Sequence, residues 1–193
     1  MARRFRLSSL AWPALALLGL LAPALASGVG AHPAIDWQPG RALEEPWRLW
    51  SAAWVHLSRQ HLVVNAAAAL VVAMFGVAAQ MPARATLAWA LAWPLTHAAL
   101  ALRPEISHYG GLSGVLHAGV AVVALWLVRA EVGWRRAIAA LVLGGVTLKV
   151  LLEAPWRSEL PLSAALGITT VPFAHAAGVV VGCVAATVMW RRQ

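Results

Sequence analysis

Charge is what this sequence has least of. Only 11% of its 193 residues are Asp, Glu, Lys or Arg, whereas 61% are hydrophobic; a soluble domain averages about 25% charged residues. Too little polar surface remains to coat a water-soluble globule, which points to the bilayer as solvent. Cysteine is nearly absent. The single Cys183 lies in an apolar run, so an internal disulfide is excluded and the redox compartment is left open. No basic block alternates with exposed aromatics or Gly-rich loops, so the net charge of +8 does not mark a nucleic-acid partner. The arginines instead punctuate apolar runs, as membrane topology signals do. The length fits one domain, residues 1–193.

What is present is a series of six apolar segments, each of roughly one bilayer thickness: Leu7–Ala26, His61–Ala79, Ala85–Leu102, Leu112–Val128, Ala137–Leu152 and Pro172–Trp190. They predict an all-α polytopic membrane protein. With both termini in the cytoplasm, Arg3, Arg4, Arg6, Arg84, Arg129, Arg135, Arg136, Arg191 and Arg192 fall inside. Arg41, Arg48, Arg59, Arg103, Lys149 and Arg157 fall outside, so nine cations face six. Of the acidic residues, only Glu131 is inside. The positive-inside rule favours this orientation. Residues 27–60 then form an outer membrane-associated loop, and Trp37, Trp47, Trp50 and Trp54 suit the headgroup zone. The eleven tryptophans as a set are expected to be mostly interface anchors. The basic start and Ala24-Leu25-Ala26 also fit a cleavable signal sequence, but an apolar stretch of close to twenty residues favours a retained helix.

Polar groups inside apolar segments are costly and mark function. Three clusters stand out: His56-Leu-Ser-Arg-Gln-His61-Leu-Val-Val-Asn65 after Trp47-Arg48, then Tyr109-Gly-Gly-Leu-Ser113-Gly-Val-Leu-His117, then Ala174-His175-Ala-Ala-Gly178 running on to Gly182. Under the charge-derived topology all three lie at the outer ends of their helices, which brings Ser113, His61, His175 and Asn65 to one depth. His61 and Asn65 are four apart and share a helix face, from which two N–H donors can meet a developing oxyanion. His56 and His61 are about 140° apart on a helix, a poor arrangement for a shared metal. Gly114 and the Ala174/Gly178/Gly182 series are small faces that let helices approach closely. Gly110-Gly111 permits an irregular entry to the helix that begins near Ser113. Ser113 and His117 are also four apart, so on spacing alone either His117 or His175 can serve as the base.

The residues Trp47-Arg48, His56, His61 and Asn65, then Gly111, Ser113 and Gly114, then Ala174, His175, Gly178 and Gly182 resemble the motifs of the rhomboid intramembrane proteases, in the family's order and on the expected helices. The resemblance implies a six-helix bundle and a catalytic dyad of Ser113 and His175 with no acidic third member. It further implies an oxyanion hole from His61, Asn65 and the Ser113 N–H, and a half-sunk loop around Trp47-Arg48. His117 stands where many rhomboids carry Tyr. With the Lys149-x3-Glu153 pair and the short length, it looks like the rhombosortase branch, which is thought to remove a C-terminal Gly-Gly, hydrophobic and basic tail from secreted bacterial proteins. On that resemblance the chain is a multi-pass protein of a bacterial inner membrane with its site facing the periplasm. Its partners would be the bilayer and transmembrane substrates with Gly or Ala near the cleavage site, with no cofactor or metal.

Alternatives are a general rhomboid protease, a non-catalytic rhomboid-like client binder, and a small transporter. A client binder would usually lack the Ser or the His, and no inverted repeat supports a transporter. His56 is read as a structural hydrogen bonder, His32, His97 and His108 as structural or solvent-facing, and Lys149 with Glu153 as a paired interfacial couple.

Overall fold

Small residues face inward and large ones outward on two of the long helices, Arg59–Ala78 and Pro172–Trp190, the reverse of a soluble bundle. The computed structural model describes residues 10–26 and 29–191. Arg3, Arg4, Arg6 and Arg192 of the charge count, and the start of the first segment at Leu7, lie outside the described residues. The helices are α1 (Ala11–Ala26), a short α2 (Arg48–Ser51), α3 (Arg59–Ala78), α4 (Ala83–Ala98, continued by a tighter turn over Ala99–Leu102), α5 (Ser113–Ala130), α6 (Gly133–Leu152) and α7 (Pro172–Trp190). In α3, Ala69, Ala73 and Gly76 are buried while Val63, Leu70, Val71 and Met74 are exposed. Hydrocarbon gives no hydrophobic drive between helices, so close contact between small residues does the packing.

Local chemistry sets the helix starts. α3 begins at Arg59, two residues before the expected start, because Ser58 is extended and its Oγ accepts from the His61 N–H at 3.0 Å. α7 opens with Pro172, whose missing N–H costs nothing in a first turn. Four stretches are long and apolar enough to cross a bilayer: Arg59–Ala78, Ala83–Leu102, Ser113–Ala130 and Pro172–Trp190. α6 matches them in length but carries Arg135, Arg136 and Lys149.

α5 lies at the centre, against α7, α6, α4 and α3; α7 also packs on α4, and α1 packs on α3. The core between them takes in several of the tryptophans. Trp12, Trp37, Trp89, Trp93 and Trp126 are buried, whereas Trp47, Trp50, Trp134 and Trp156 are exposed. Three buried indoles satisfy their N–H on main-chain carbonyls: Trp12 on Val72 at 3.0 Å, Trp89 on Val115 at 2.8 Å and Trp93 on Trp50 at 3.2 Å. Trp12 stacks on Trp89 with ring centroids 4.5 Å apart.

The loop over residues 29–58 is folded against the approach to α5. Trp37 and Tyr109 exchange main-chain hydrogen bonds of 2.8 and 2.9 Å, and the Gly111 N–H donates to Ala52 O at 2.9 Å. Arg48, 2% exposed, holds the loop together by donating to Pro33 O, Asp36 O, the Asp36 carboxylate and Glu45. The fold is all-α, with one small hairpin in the link between α6 and α7. Leu162–Ser163 (β1) pairs antiparallel with Ile168–Thr169 (β2), turning at Gly167, which has φ +64°. The Ser58 hydroxyl donates to Leu166 O at 2.6 Å and ties this hairpin to the start of α3.

Candidate active site

Ser113 is the first residue of α5, reached through Gly111 at φ +146°, where a side chain would be strained and a Cβ would stand 3.1 Å from the His61 ring. The N–H groups of a first helical turn have no intrahelical acceptor and stay available to a ligand. His175 lies in the first turn of α7. The two helices touch through their backbones: a Cβ on Gly178 would collide with the Gly114 carbonyl oxygen, and one on Gly182 would lie 2.6 Å from Ala118 O. That contact brings His175 Nε2 to 2.9 Å from Ser113 Oγ.

α3 supplies two more groups. His61 Nδ1 accepts from the Leu57 N–H at 3.4 Å, which leaves the proton on Nε2, toward Gly111. Asn65 is 2% exposed, and its Nδ2 has no hydrogen-bond partner among the described residues. A buried donor without a partner calls for an explanation, and Asn65 is one of the residues around a cavity of about 480 Å³ that His61, Ser113 and His175 also line. The N-termini of α3, α5 and α7 and the C-terminus of α6 thus meet at one end of the bundle.

His117 makes no hydrogen bond to the Ser113 hydroxyl. Its Nδ1–H donates to the Ser113 carbonyl at 2.7 Å, and its Nε2 accepts from Lys149 Nζ at 3.0 Å. Its ring lies nearly parallel to that of His175, 16° between planes and 4.3 Å between centroids. Both nitrogens are committed, so of the two candidate bases only His175 has a nitrogen on the hydroxyl.

An acidic side chain touches the second nitrogen of His175. Glu153, one residue past the end of α6, puts Oε2 2.7 Å from His175 Nδ1 and Oε1 2.8 Å from Lys149 Nζ. Burial alone would raise this carboxyl. The hydrogen bonds from His175 and Lys149 outweigh burial and pull it down from 4.5 to about 2. Lys149 Nζ also approaches His175 Nδ1 at 3.3 Å, but Nδ1 already directs its proton to the carboxylate, so this approach is a close cation and not a hydrogen bond. Sequence spacing offers Glu153 only as the i, i+4 partner of Lys149, one residue beyond the fifth expected segment, Ala137–Leu152. Tyr109, the chain's single tyrosine, opens the second polar cluster of the sequence but has no role assigned there. It is 6% exposed, borders the cavity and donates to Gly111 O at 3.2 Å; burial pushes its hydroxyl up to about 12.

The remaining expected residues support from outside. Arg48 is the loop clip described above, and Trp47 is 52% exposed. His56 is 1% exposed, lies 5.2 Å from the His61 ring, and donates from Nδ1 to Trp54 O at 3.2 Å. Burial pushes its imidazole down, which keeps it neutral. His97 bonds Leu49 O at 2.6 Å, and His108 bonds the Asp36 carboxylate at 2.6 Å; both tie the loop to the bundle.

No curated protein and no solved structure matches this chain. A family model, the Rhomboid domain, matches residues 43–192, most of its 193 residues. The match takes in every residue around the cavity, and with the apolar helices it makes the chain a multi-pass membrane protein. The chain belongs to the rhomboid family, a family of intramembrane serine proteases.

Proposed function

We propose that this chain is an intramembrane serine endopeptidase working by a Ser113–His175 pair, with α1 and α6 completing six spans, both termini cytoplasmic, and the cavity open to the periplasmic side of a bacterial inner membrane. The observation that carries the reading is the 2.9 Å approach of His175 Nε2 to Ser113 Oγ at the wall of the cavity. Ser113 Oγ attacks a peptide carbonyl as His175 takes the hydroxyl proton, which then passes to the leaving amine. Water entering the cavity cleaves the resulting ester by the same steps in reverse order. The tetrahedral oxyanion is held by His61 Nε2–H, Asn65 Nδ2–H and the Ser113 N–H. The partnerless Asn65 amide supports this role, since an oxyanion supplies the missing acceptor. A client-binding protein without chemistry has no use for it.

The substrate is a single-span protein whose helix unwinds at small residues, because Gly is about 1 kcal/mol poorer than Ala as a helix former. His117 in place of the usual Tyr, with Lys149 and Glu153 beside it, favours the rhombosortase branch. The target is then a secreted protein ending in Gly-Gly, a hydrophobic helix and a basic tail. The test is co-expression with a secreted reporter carrying such a tail. Wild type is expected to process the reporter and to be labelled by a serine-reactive phosphonate, and Ser113→Ala to do neither. Equal processing by both proteins sinks the protease reading. Cleavage of other single-span substrates but not of the Gly-Gly reporter sinks the branch assignment alone.

A further inference from the structure

His175 has a second nitrogen, and what that nitrogen touches departs from a two-residue mechanism. We infer that Glu153 is a positioning residue for catalysis: its carboxylate holds the Nδ1–H of His175, fixes the base in the tautomer that accepts from Ser113, and balances the imidazolium that forms during attack. The inference rests on the reading of Ser113 and His175 as nucleophile and base, and deepens it.

The hydrogen-bond directions leave one consistent set of protons. Ser113 Oγ–H points to His175 Nε2 at 2.9 Å, so Nε2 carries no proton and Nδ1 does. Nδ1–H points to Glu153 Oε2 at 2.7 Å. The other carboxylate oxygen, Oε1, receives Lys149 Nζ–H at 2.8 Å. Lys149, the chain's only lysine, gives a further proton to His117 Nε2 at 3.0 Å, and His117 Nδ1–H closes the path on the carbonyl of Ser113 itself. The path therefore begins and ends on the nucleophile's own residue. Glu153 is gripped from two sides, and His117 lies flat against the base and restrains its ring.

The chemistry balances without an outside reagent. As the Oγ–C bond forms, the hydroxyl proton moves to Nε2, and the carbonyl π pair moves to the oxyanion. The cation so created is shared by both ring nitrogens, one of them against an anionic carboxylate that keeps its charge. When the oxyanion collapses and the C–N bond breaks, the Nε2 proton goes to the departing amine. Glu153 neither gains nor loses a proton in the cycle. The charged groups facing His175 are Glu153 and Lys149 from α6 and its end, with the rings of His117 from α5 and His61 from α3 also close.

The experiment uses the full-length protein reconstituted in liposomes, with a cleavable single-span reporter and kcat/KM followed across pH. Glu153→Gln keeps the shape and an acceptor but removes the charge. Its plateau is expected to fall by about 10²-fold or more. Its acidic limb is expected to move to lower pH, because an imidazolium without its counter-charge gives up its proton more readily. Glu153→Asp is expected to recover much of the rate and the original limb. Wild-type rate and an unmoved limb in Glu153→Gln overturn the inference. So does a uniform loss at every pH that Glu153→Asp does not relieve, since that marks a support for folding alone. Ser113→Ala, run alongside, separates the two levels: residual cleavage there defeats the protease reading, whereas a dead Ser113→Ala with a normal Glu153→Gln defeats only the role of Glu153.

Discussion

His61 and Asn65 sit one helical turn apart on α3 and line the same cavity as Ser113 at the start of α5. If they hold an oxyanion, they act in the transition state and not on the resting substrate. His61→Ala and Asn65→Ala are then each expected to lower kcat by about 10²–10³-fold, about 2.7–4 kcal/mol, with little change in KM. A rise in KM at constant kcat for either variant would reassign it to substrate binding. These residues were legible in the sequence because polar groups at one depth in apolar segments are conspicuous. Glu153 was not. Four residues after Lys149 on a helix end, it has the spacing of an ordinary surface pair, and no local pattern reveals that α6 delivers it to a ring on α7. Its charge is durable: the carboxyl sits near 2 in the fold against 4.5 as its ordinary value. Its contribution is therefore complete above about pH 4.5 and is lost only as pH falls toward 2. An acidic limb at milder pH must come from another group.

At the scale of elements, the distance between nucleophile and base is set by backbone contact between α5 and α7. Gly178→Leu is expected to force these helices apart, at a cost of about 1–3 kcal/mol in stability, and to abolish turnover. Gly144 on α6 is the control, because a Cβ there would meet nothing within 4 Å: Gly144→Ala is expected to leave both turnover and melting temperature unchanged. A Gly178→Leu protein with wild-type turnover would contradict the account. The long helices were visible as apolar runs, to within a few residues at their ends. The hairpin was not, because strands of two residues carry no readable alternation. Nor was the burial of Trp12 and Trp89, since an indole near the end of a span reads as an interface anchor until its neighbours are known.

For the whole molecule, the orientation read from cation distribution predicts that the C-terminus after α7 faces the cytoplasm. A C-terminal fluorescent-protein fusion is expected to glow in a bacterial host and a C-terminal alkaline phosphatase fusion to be silent; the opposite pattern would reverse the orientation and move the cavity to the other face. The chain's architecture also distributes its attachments unevenly. α6 buries only Ala139 and Val150, while Leu141, Leu148 and Leu152 are exposed. In the six-span reading proposed above, most of its circumference is left to acyl chains. Glu153 hangs from the end of this helix. A change in bilayer thickness that tilts α6 would be felt directly at the Nδ1 side of His175, so lipid composition becomes a variable of proton transfer as well as of insertion.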